Sequence, residues 1–383
     1  MKFNLVKETI TIYLEGRITA DTALEVEKEL FDILEKNDAQ KVVLDMSNVS
    51  YISSAGLRVI LKVKQKCEKT AIQGCNLDVY EVFEMTGFTE IMTVKKALKQ
   101  ISLKDAKVIG DGYFSTVYRL DGDTIIKVFN RTSDEGQIER ELRLAREAFI
   151  LGIPTAIPFD IVKADDKLGV RFEMLDCQSL KDVFKNNPDK FDELISQYGD
   201  LLNKINSTEC HDAELPNMKK FYQEKIEKGM AEHLSPEKYQ KLVKMIDGIE
   251  DTPNLIHGDC HFKNIMVQDG QFLLIDMDTL STGNRIFEFA QIRVPYVAFD
   301  EDDPGNSLRF FGVSNELTRN IYERLVEYCF GKKDELVMKK IAILCYAQMV
   351  WWNRTNEPEN DVRYKGCLGR LEKLLDEVND LNI

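Results

Sequence analysis

Apolar and polar residues follow two different patterns along the chain, and the first pattern predicts a small β/α unit. Residues 8–14 (ETITIYL) alternate apolar and polar positions, and residues 41–47 (KVVLDMS) begin as a short apolar run. Both patterns are typical of β-strands. The segment between them carries apolar residues at helical spacing: Ala23, Val26, Leu30 and Leu34. We expect a helix there, with Thr19 or Asp21 as its N-terminal cap.

Two further helices are predicted before residue 101. One runs from about Ser54 to Cys67, and the segment EVFEMTGF (residues 81–88) indicates another that ends at Gly87. Glycine is common at this position because it readily adopts the left-handed backbone conformation that follows a helix. We therefore expect a β/α domain of residues 1–100.

The pattern changes after residue 105. Residues 108–129 read as closely spaced strands, and Asp121-Gly122-Asp123 is typical of a hairpin turn. The segment GQIERELRLAREAFILG (136–152) predicts a helix, GVRFEML (169–175) predicts a strand, and the remainder is mostly helical. A second, larger domain is expected to begin near residue 101.

Composition and charge narrow the class of protein. The chain has 383 residues, 44% of them hydrophobic and 30% charged, which is ordinary for a folded protein of two or three domains. Its net charge of −14 disfavours binding to nucleic acid or to an anionic membrane, and it suits a cationic partner. The N-terminal segment lacks the apolar block of a signal peptide, and no window approaches roughly eighteen consecutive apolar residues. We expect a cytoplasmic protein whose eight cysteines, none of them in a CxxC pair, are reduced thiols.

The strands after residue 105 carry groups suited to binding phosphate. Gly110 and Gly112 lie in a turn between two strand-like runs, where backbone N–H groups can approach a phosphate closely. Lys127, one strand later in IIKVF, offers a point charge for the α- and β-phosphates of a nucleotide. A lysine in such an apolar run needs a counter-ion. Glu141 is the first choice, because its position on the predicted helix turns it inward, and Glu139 is the reserve.

Hard oxygen ligands follow later in the chain. In HGDCHFKN (257–264), Asp259 precedes Asn264 by five residues, and the strand FLLID then presents Asp276. A short loop of this kind can bring a carboxylate to a substrate hydroxyl while an amide oxygen and a second carboxylate bind Mg²⁺. Phosphoryl transfer asks a protein mainly for such positioning and charge neutralisation.

Residues 105–383 resemble the aminoglycoside phosphotransferase and choline kinase family, small-molecule kinases with the protein-kinase-like fold. The pieces that carry the resemblance are GDGYFSTVY, IIKVF, IERE, HGDCHFKN and LIDMD, in the family's order. The resemblance implies ATP and Mg²⁺ as cofactors, with a β-rich N-lobe at residues 101–176 and a mostly helical C-lobe at 177–383. It assigns the catalytic base to Asp259, the metal to Asn264 and Asp276, and the bracing of the loop to His257.

The same resemblance assigns residues to the nucleotide. Lys127 with Glu141 anchors ATP, and the segment FEMLDC (172–177) contacts adenine through its backbone at Glu173 and Leu175. Ser115 stands where a third glycine is common, so a hydroxyl takes the place of bare backbone over the phosphates. Asp278 is either a second metal ligand or a surface group.

A small acceptor is expected, because GNRIFEFAQ follows Asp276 almost at once and leaves little room for the long activation segment of a protein kinase. The resemblance implies the hydroxyl of an aminoglycoside, of choline or another amino alcohol, or of a sugar. Trp351 and Trp352 either flank a cationic acceptor or pack in the helical core.

Residues 1–100 resemble the STAS domain of bacterial anti-sigma-factor antagonists, through LDMSNVSYISSAGLRVIL and EVFEMTGF. The resemblance implies a regulatory module that binds a protein partner and is phosphorylated on a serine at the start of a helix, here Ser54. Ser53 stands where many members carry aspartate, and either serine could serve only as a helix cap. The predicted fold is thus α+β, a STAS domain followed by a two-lobed kinase-like fold. The alternative to an enzyme is a signalling protein whose kinase-like half binds nucleotide or phosphorylates its own STAS serine.

Overall fold

The computed structural model describes residues 1–37, 39–112, 115–130, 134–211, 215–331 and 334–378. It divides into two compact units, Met1–Ile101 and Ser102–Ile383. The strands of the first unit are β1 (Lys2–Val6), β2 (Thr9–Ile18), β3 (Lys41–Ile52), β4 (Lys69–Cys75), β5 (Thr93–Lys96) and β6 (Lys99–Ile101). Its helices are α1 (Ala23–Lys36), α2 (Ser54–Lys66), α3 (Leu77–Met85) and α4 (Phe88–Ile91).

The first unit is built on a sheet with the strand order β1-β2-β3-β4-β5. β1 and β2 are antiparallel, and the other neighbouring strands are parallel. Apolar residues at alternate positions of β2 and β3, such as Ile10, Ile12, Val42 and Leu44, are fully buried in one core with residues of α2 and α3. The predicted strands at 8–14 and 41–47 are confirmed, and both extend further along the chain.

The start of α1 differs from the prediction. The helix begins at Ala23 with Thr22 at the N-cap position, and no side chain caps it. Thr19 instead accepts the Ala23 N–H on its backbone carbonyl, at 3.0 Å. The predicted caps Thr19 and Asp21 were therefore wrong. A sequence pattern locates a helix more reliably than its terminal residue, because the final turn depends on local backbone geometry.

The second unit contains a β-rich part followed by a mostly helical part. Its strands are β7 (Lys107–Asp111), β8 (Ser115–Arg119), β9 (Thr124–Phe129), β10 (Pro158–Ala164), β11 (Lys167–Glu173), β12 (Gln178–Ser179), β13 (Leu255–Ile256), β14 (Ile265–Gln268), β15 (Gln271–Leu274) and β16 (Ser281–Thr282). Its helices are α5 (Glu135–Ile150), α6 (Leu180–Asn186), α7 (Phe191–Ser207), α8 (Met218–Phe221), α9 (Lys228–Met230), α10 (Pro236–Gly248), α11 (Arg285–Arg293), α12 (Phe299–Asp302), α13 (Asn306–Phe311), α14 (Asn315–Phe330), α15 (Glu335–Asn356) and α16 (Asp361–Glu377).

Five strands of this unit form an antiparallel sheet in the order β10-β11-β9-β8-β7. The predicted hairpin is confirmed as β8 and β9, where the Leu120 N–H donates to the Thr124 carbonyl at 3.0 Å across the turn. The hairpin β14–β15 follows the segment HGDCHFKN and places Asp276 just beyond its second strand. In the described part of the chain, none of the helices combines the length and apolar character that crossing a bilayer requires.

Candidate active site

The glycine turn joins β7 to β8. Asp111 pairs with Thr116 across the two strands, and the Gly112 N–H donates to the Ser115 carbonyl at 2.9 Å. Residues 113 and 114, at the tip of the quoted motif, lie outside the described residues. Gly110 lies opposite Val117, and Val117 pairs in turn with Lys127 on β9. Gly110 on β7 and Lys127 on β9 therefore lie two strands apart, with β8 between them.

Lys127 bridges two carboxylates. Its ammonium lies 2.6 Å from Glu141 Oε1 and 2.7 Å from Asp276 Oδ1. Glu141 is buried on the inward face of α5, as its place in the helical pattern predicts. Burial acts to lower the pKa of Lys127, but the charges of Asp276 and Glu141 outweigh it and raise this pKa. Lys127 is therefore a fixed positive charge at this end of the sheet.

Asp276 follows β15 in the left-handed backbone conformation, with φ 67° and ψ 68°. This conformation is uncommon for any residue except glycine, although aspartate tolerates it better than most. Such local strain is frequent at functional sites, where surrounding contacts hold it in place. The Ile275 N–H donates to the Asn264 carbonyl at 2.9 Å, which ties Asp276 to the loop that carries Asn264.

Negative charge exceeds positive charge around Lys127. Desolvation by the surrounding protein and the charge of the neighbouring Asp276 together raise the pKa of Asp278 to about 7. Burial and the charge of Asp276 likewise raise the pKa of Asp259 to about 7. A divalent cation fits a cluster of carboxylates that one lysine does not neutralise.

The loop 257–264 pairs a carboxylate with an amide. Asn264 Nδ2 donates to Asp259 Oδ2 at 3.0 Å and to the Asp259 carbonyl at 3.0 Å. Both bonds use the amide nitrogen, and none of the residues that the structure describes donates a hydrogen bond to the Asn264 side-chain oxygen. The Asp259 side chain is only partly buried, with 44% of it exposed to solvent.

His257 is buried beneath this loop. Its Nδ1 accepts the Asp259 N–H at 3.2 Å, so Nε2 carries the proton and donates to the Ile275 carbonyl at 3.2 Å. Burial lowers the pKa of His257 to about 4, which keeps the ring neutral. His257 thus links the segments before Asp259 and Asp276.

Glu288 and Gly258 were missed by the sequence analysis. Glu288 is fully buried on α11, and its two oxygens accept the N–H groups of His257 at 2.6 Å and Gly258 at 3.2 Å. Gly258 has φ +82°, and a Cβ there would lie 2.9 Å from the Thr279 carbonyl oxygen. Both residues fix the backbone just before Asp259. The available signal was the charge of Glu288 inside the apolar run IFEFA.

The remaining predicted residues lie elsewhere. Glu173 ends β11, and its side chain accepts the Ile157 N–H at 3.2 Å, while Leu175 lies in the segment that follows. Ser54 is exposed as the first residue of α2 in the other unit. The Ser53 side chain accepts the Gly56 N–H and is the N-cap of α2.

Trp351 packs within the helical part of the second unit. Its ring meets the Phe221 ring edge-on, with centroids 5.6 Å apart, and it lies against Gly229. Packing accounts for this side chain without a bound acceptor.

The side chains present fit Mg²⁺ better than a cage-bound metal. Among the described residues, no group of three or more His, Cys, Asp or Glu side chains is arranged around a common point for a metal. Mg²⁺ usually takes only one or two protein carboxylates and completes its shell with water and substrate phosphates. The side-chain oxygen of Asn264 and the carboxylate of Asp276 are groups of the kind that would serve as such ligands.

Both halves of the chain match known protein families. A model of the phosphotransferase enzyme family matches residues 105–316, and a model of the STAS domain matches residues 4–101. The "Putative anti-sigma factor antagonist BtrV" of Bordetella bronchiseptica is 40% identical over 87 residues, which are 21% of this chain and 72% of that protein. The anti-sigma-B factor antagonist of Listeria monocytogenes is 29% identical over 90 residues, 22% of this chain and 78% of that protein.

Two solved structures illustrate the structural matches, each of which covers most of this chain. An ADP-bound aminoglycoside phosphotransferase, APH(2'')-Ib, is 16% identical with a TM-score of 0.49, covering 77% of this chain and 98% of that one. A choline/ethanolamine kinase family protein from Mesorhizobium loti is 14% identical with a TM-score of 0.46, covering 71% and 88%. The family matches confirm the predicted fold class, a β/α STAS domain and then a kinase-like fold. The chain belongs to the phosphotransferase enzyme family and also contains a STAS domain.

Proposed function

We infer that this protein is a cytoplasmic, ATP- and Mg²⁺-dependent phosphotransferase that acts on a hydroxyl group of a small molecule. One observation carries the proposal. Lys127 contacts both Glu141 and Asp276, and the Asp259–Asn264 pair lies close enough for the charge of Asp276 to raise the pKa of Asp259. A protein that only senses nucleotide has no need for the exposed carboxylate of Asp259.

The residues divide the reaction between them. Asp259 accepts the proton of the acceptor hydroxyl while that oxygen attacks the γ-phosphorus of ATP. The bond from this phosphorus to the β–γ bridging oxygen breaks, and ADP leaves with the electron pair. Lys127 contacts the α- and β-phosphates, held in place by Glu141. Asn264 and Asp276 are the side chains that would hold Mg²⁺, with Asp278 of the same cluster as a further candidate ligand, and Mg²⁺ neutralises phosphate oxygens when bound.

The β-rich part supplies the rest of the nucleotide site. The groups that would cover the phosphates are the backbone of Gly110 in β7, the backbone of Gly112 just after it and the hydroxyl of Ser115, the first residue of β8. The backbone of Glu173 and Leu175 would contact adenine at the junction with the helical part. Acceptor classes consistent with the sequence resemblance are sugars, amino alcohols such as choline, and aminoglycosides.

A screen of hydroxylated metabolites and aminoglycosides tests this function. The full-length protein is incubated with ATP and Mg²⁺, and ADP formation is measured with and without each compound. We expect at least one compound to raise ATP consumption well above the slow reaction with water, and EDTA to abolish the increase. Failure of the protein to bind Mg²⁺–ATP, measured by calorimetry, would refute the proposal.

A second candidate function rests on the exposure of Ser54. Relatives of the STAS half are named as anti-sigma factor antagonists, and here a signalling role would use a protein partner at the STAS domain. The N-terminus of α2 would favour a phosphate on Ser54 through its free N–H groups and helix dipole. The kinase-like half would then bind nucleotide or phosphorylate this serine.

Mass spectrometry distinguishes the two functions. After incubation of the full-length protein with ATP and Mg²⁺, a self-phosphorylating protein gains one phosphate, and the gain maps to the peptide that contains Ser54. The Ser54→Ala variant should then remain unmodified, whereas Ser50→Ala, an exposed serine of the preceding strand, should behave like the wild type. An unmodified wild-type chain would exclude self-phosphorylation.

A further inference from the structure

Lys263 is a half-buried cation within the loop 257–264. It lies one residue before Asn264, with its ammonium 4.3 Å from the centre of the Phe310 ring and 3.4 Å from the Phe310 carbonyl oxygen. Within the described part of the chain, no carboxylate lies within ion-pair distance of it, in contrast to Lys127. Lys181 adds a second positive charge close to Lys263. A cation in this setting gains from the approach of an anion.

The charge of Lys263 acts on the carboxylate of Asp259. It opposes the effects of burial and of Asp276 on the pKa of Asp259. The largest charge effects on Asp276 and Asp278 come instead from the cluster around Lys127. Lys263 is therefore a second positive charge near the site, and it acts on Asp259 where Lys127 acts on Asp276 and Asp278.

The surroundings of Lys263 are cationic and apolar. Lys181 lies close by and pairs with Asp182 at 3.0 Å, which leaves Lys263 as the unpaired member of the two. Phe310 is 45% exposed, and Leu308 on the same helix, α13, is 62% exposed. The His261 ring lies between Phe310 and Asp259. It is edge-on to the Phe310 ring, with centroids 5.8 Å apart, and its Nε2 is 3.6 Å from Asp259 Oδ1.

We propose that Lys263 and the exposed ring of Phe310 form the acceptor subsite, and that the acceptor is a hydroxyl compound carrying a carboxylate or phosphate group. This rests on the phosphotransferase function proposed above. The acidic group of the acceptor pairs with Lys263, its apolar part lies on Phe310, and its hydroxyl reaches Asp259. The local charge at this subsite thus favours an acceptor of opposite sign to the one that the net charge of the chain suggests.

Matched small alcohols test the proposal. ATP consumption by the full-length protein with Mg²⁺ is measured at constant ionic strength with choline, glycerol, glycerate and glycerol 3-phosphate. We expect the two anionic compounds to raise ATP consumption at concentrations where choline and glycerol do not. Lys263→Met, which keeps the length and removes the charge, should raise the KM for the anionic compounds roughly ten- to hundredfold. Lys263→Arg should recover most of the loss, and Lys190→Met, at an exposed position, should have no effect.

Other outcomes overturn the proposal. Stimulation by choline alone would contradict an anionic acceptor and leave the phosphotransferase function intact. A raised KM for ATP in Lys263→Met, with the acceptor KM unchanged, would place the lysine on the phosphates of the nucleotide. If no compound stimulates ATP consumption, the binding of glycerol 3-phosphate to the protein is measured by calorimetry in the presence of Mg²⁺ and ADP. Absence of binding would refute the subsite. Binding of Mg²⁺–ATP, measured separately, reports on the proposed function itself.

Discussion

Replacement of Asp259 by asparagine is expected to lower kcat by roughly 10²–10⁴, the usual loss when a positioned base is removed. Asparagine keeps the size of the side chain and an oxygen that can accept the Asn264 N–H, but it cannot take a proton from the acceptor. The affinity for Mg²⁺–ATP should change little, because Lys127 contacts Glu141 and Asp276 and not Asp259. The loss should therefore appear in kcat.

The measurement compares steady-state rates with the acceptor found in the screen and nucleotide affinity by calorimetry. Asp269→Asn is the matched control, since this exposed aspartate lies in the β14–β15 turn and undergoes the same chemical change. Its rates should match those of the wild type. Turnover by Asp259→Asn within about threefold of the wild type would exclude Asp259 as the base.

The Glu288→Gln variant should change how the stability of the second unit depends on pH. Burial raises the pKa of Glu288 from 4.5 to about 7, although the N–H groups of His257 and Gly258 oppose this rise. Between these pH values the folded protein binds more protons than the unfolded chain, so stability falls as pH rises from about 4.5 to about 7. At 1.36 kcal/mol per pKa unit, the free energy of unfolding falls by about 3 kcal/mol over this range. Glutamine does not titrate, so the variant should lack this fall.

Urea unfolding between pH 4.5 and pH 8 measures this difference. Both tryptophans of the chain, Trp351 and Trp352, lie in the second unit, so their fluorescence follows that unit alone. We expect the stability of the wild type relative to Glu288→Gln to decline across this range. The exposed Glu250→Gln control should run parallel to the wild type. Parallel curves for Glu288→Gln as well would show that Glu288 does not titrate in this range.

Regular patterns made much of the fold predictable. The alternation in β2 and the helical spacing in α1 report directly which side of each element faces the core, and the structure has those elements. The hairpin between β8 and β9 was marked by its Asp-Gly-Asp turn. The cap of α1 was missed because a cap depends on how the chain enters the helix, which a pattern of apolar residues does not describe.

The candidate site was predictable where spacing along the chain is short. Asp259 and Asn264 lie on one loop, and the helical pattern turned Glu141 inward toward Lys127. Glu288 was not found, because its partners lie about thirty residues earlier and the contact exists only once α11 packs under the loop. A carboxylate within an apolar helix face indicates that Glu288 needs hydrogen-bond partners, but it does not identify them.

The two adjacent serines at the start of α2 occupy different structural positions. Ser53 closes the helix end, and Ser54 points outward beside it. A modification of Ser54 would therefore leave the helix anchored and the core beneath it unchanged. A partner that distinguishes modified from unmodified Ser54 would respond to the altered surface electrostatics. Such a modification could be added and removed without any refolding of the domain.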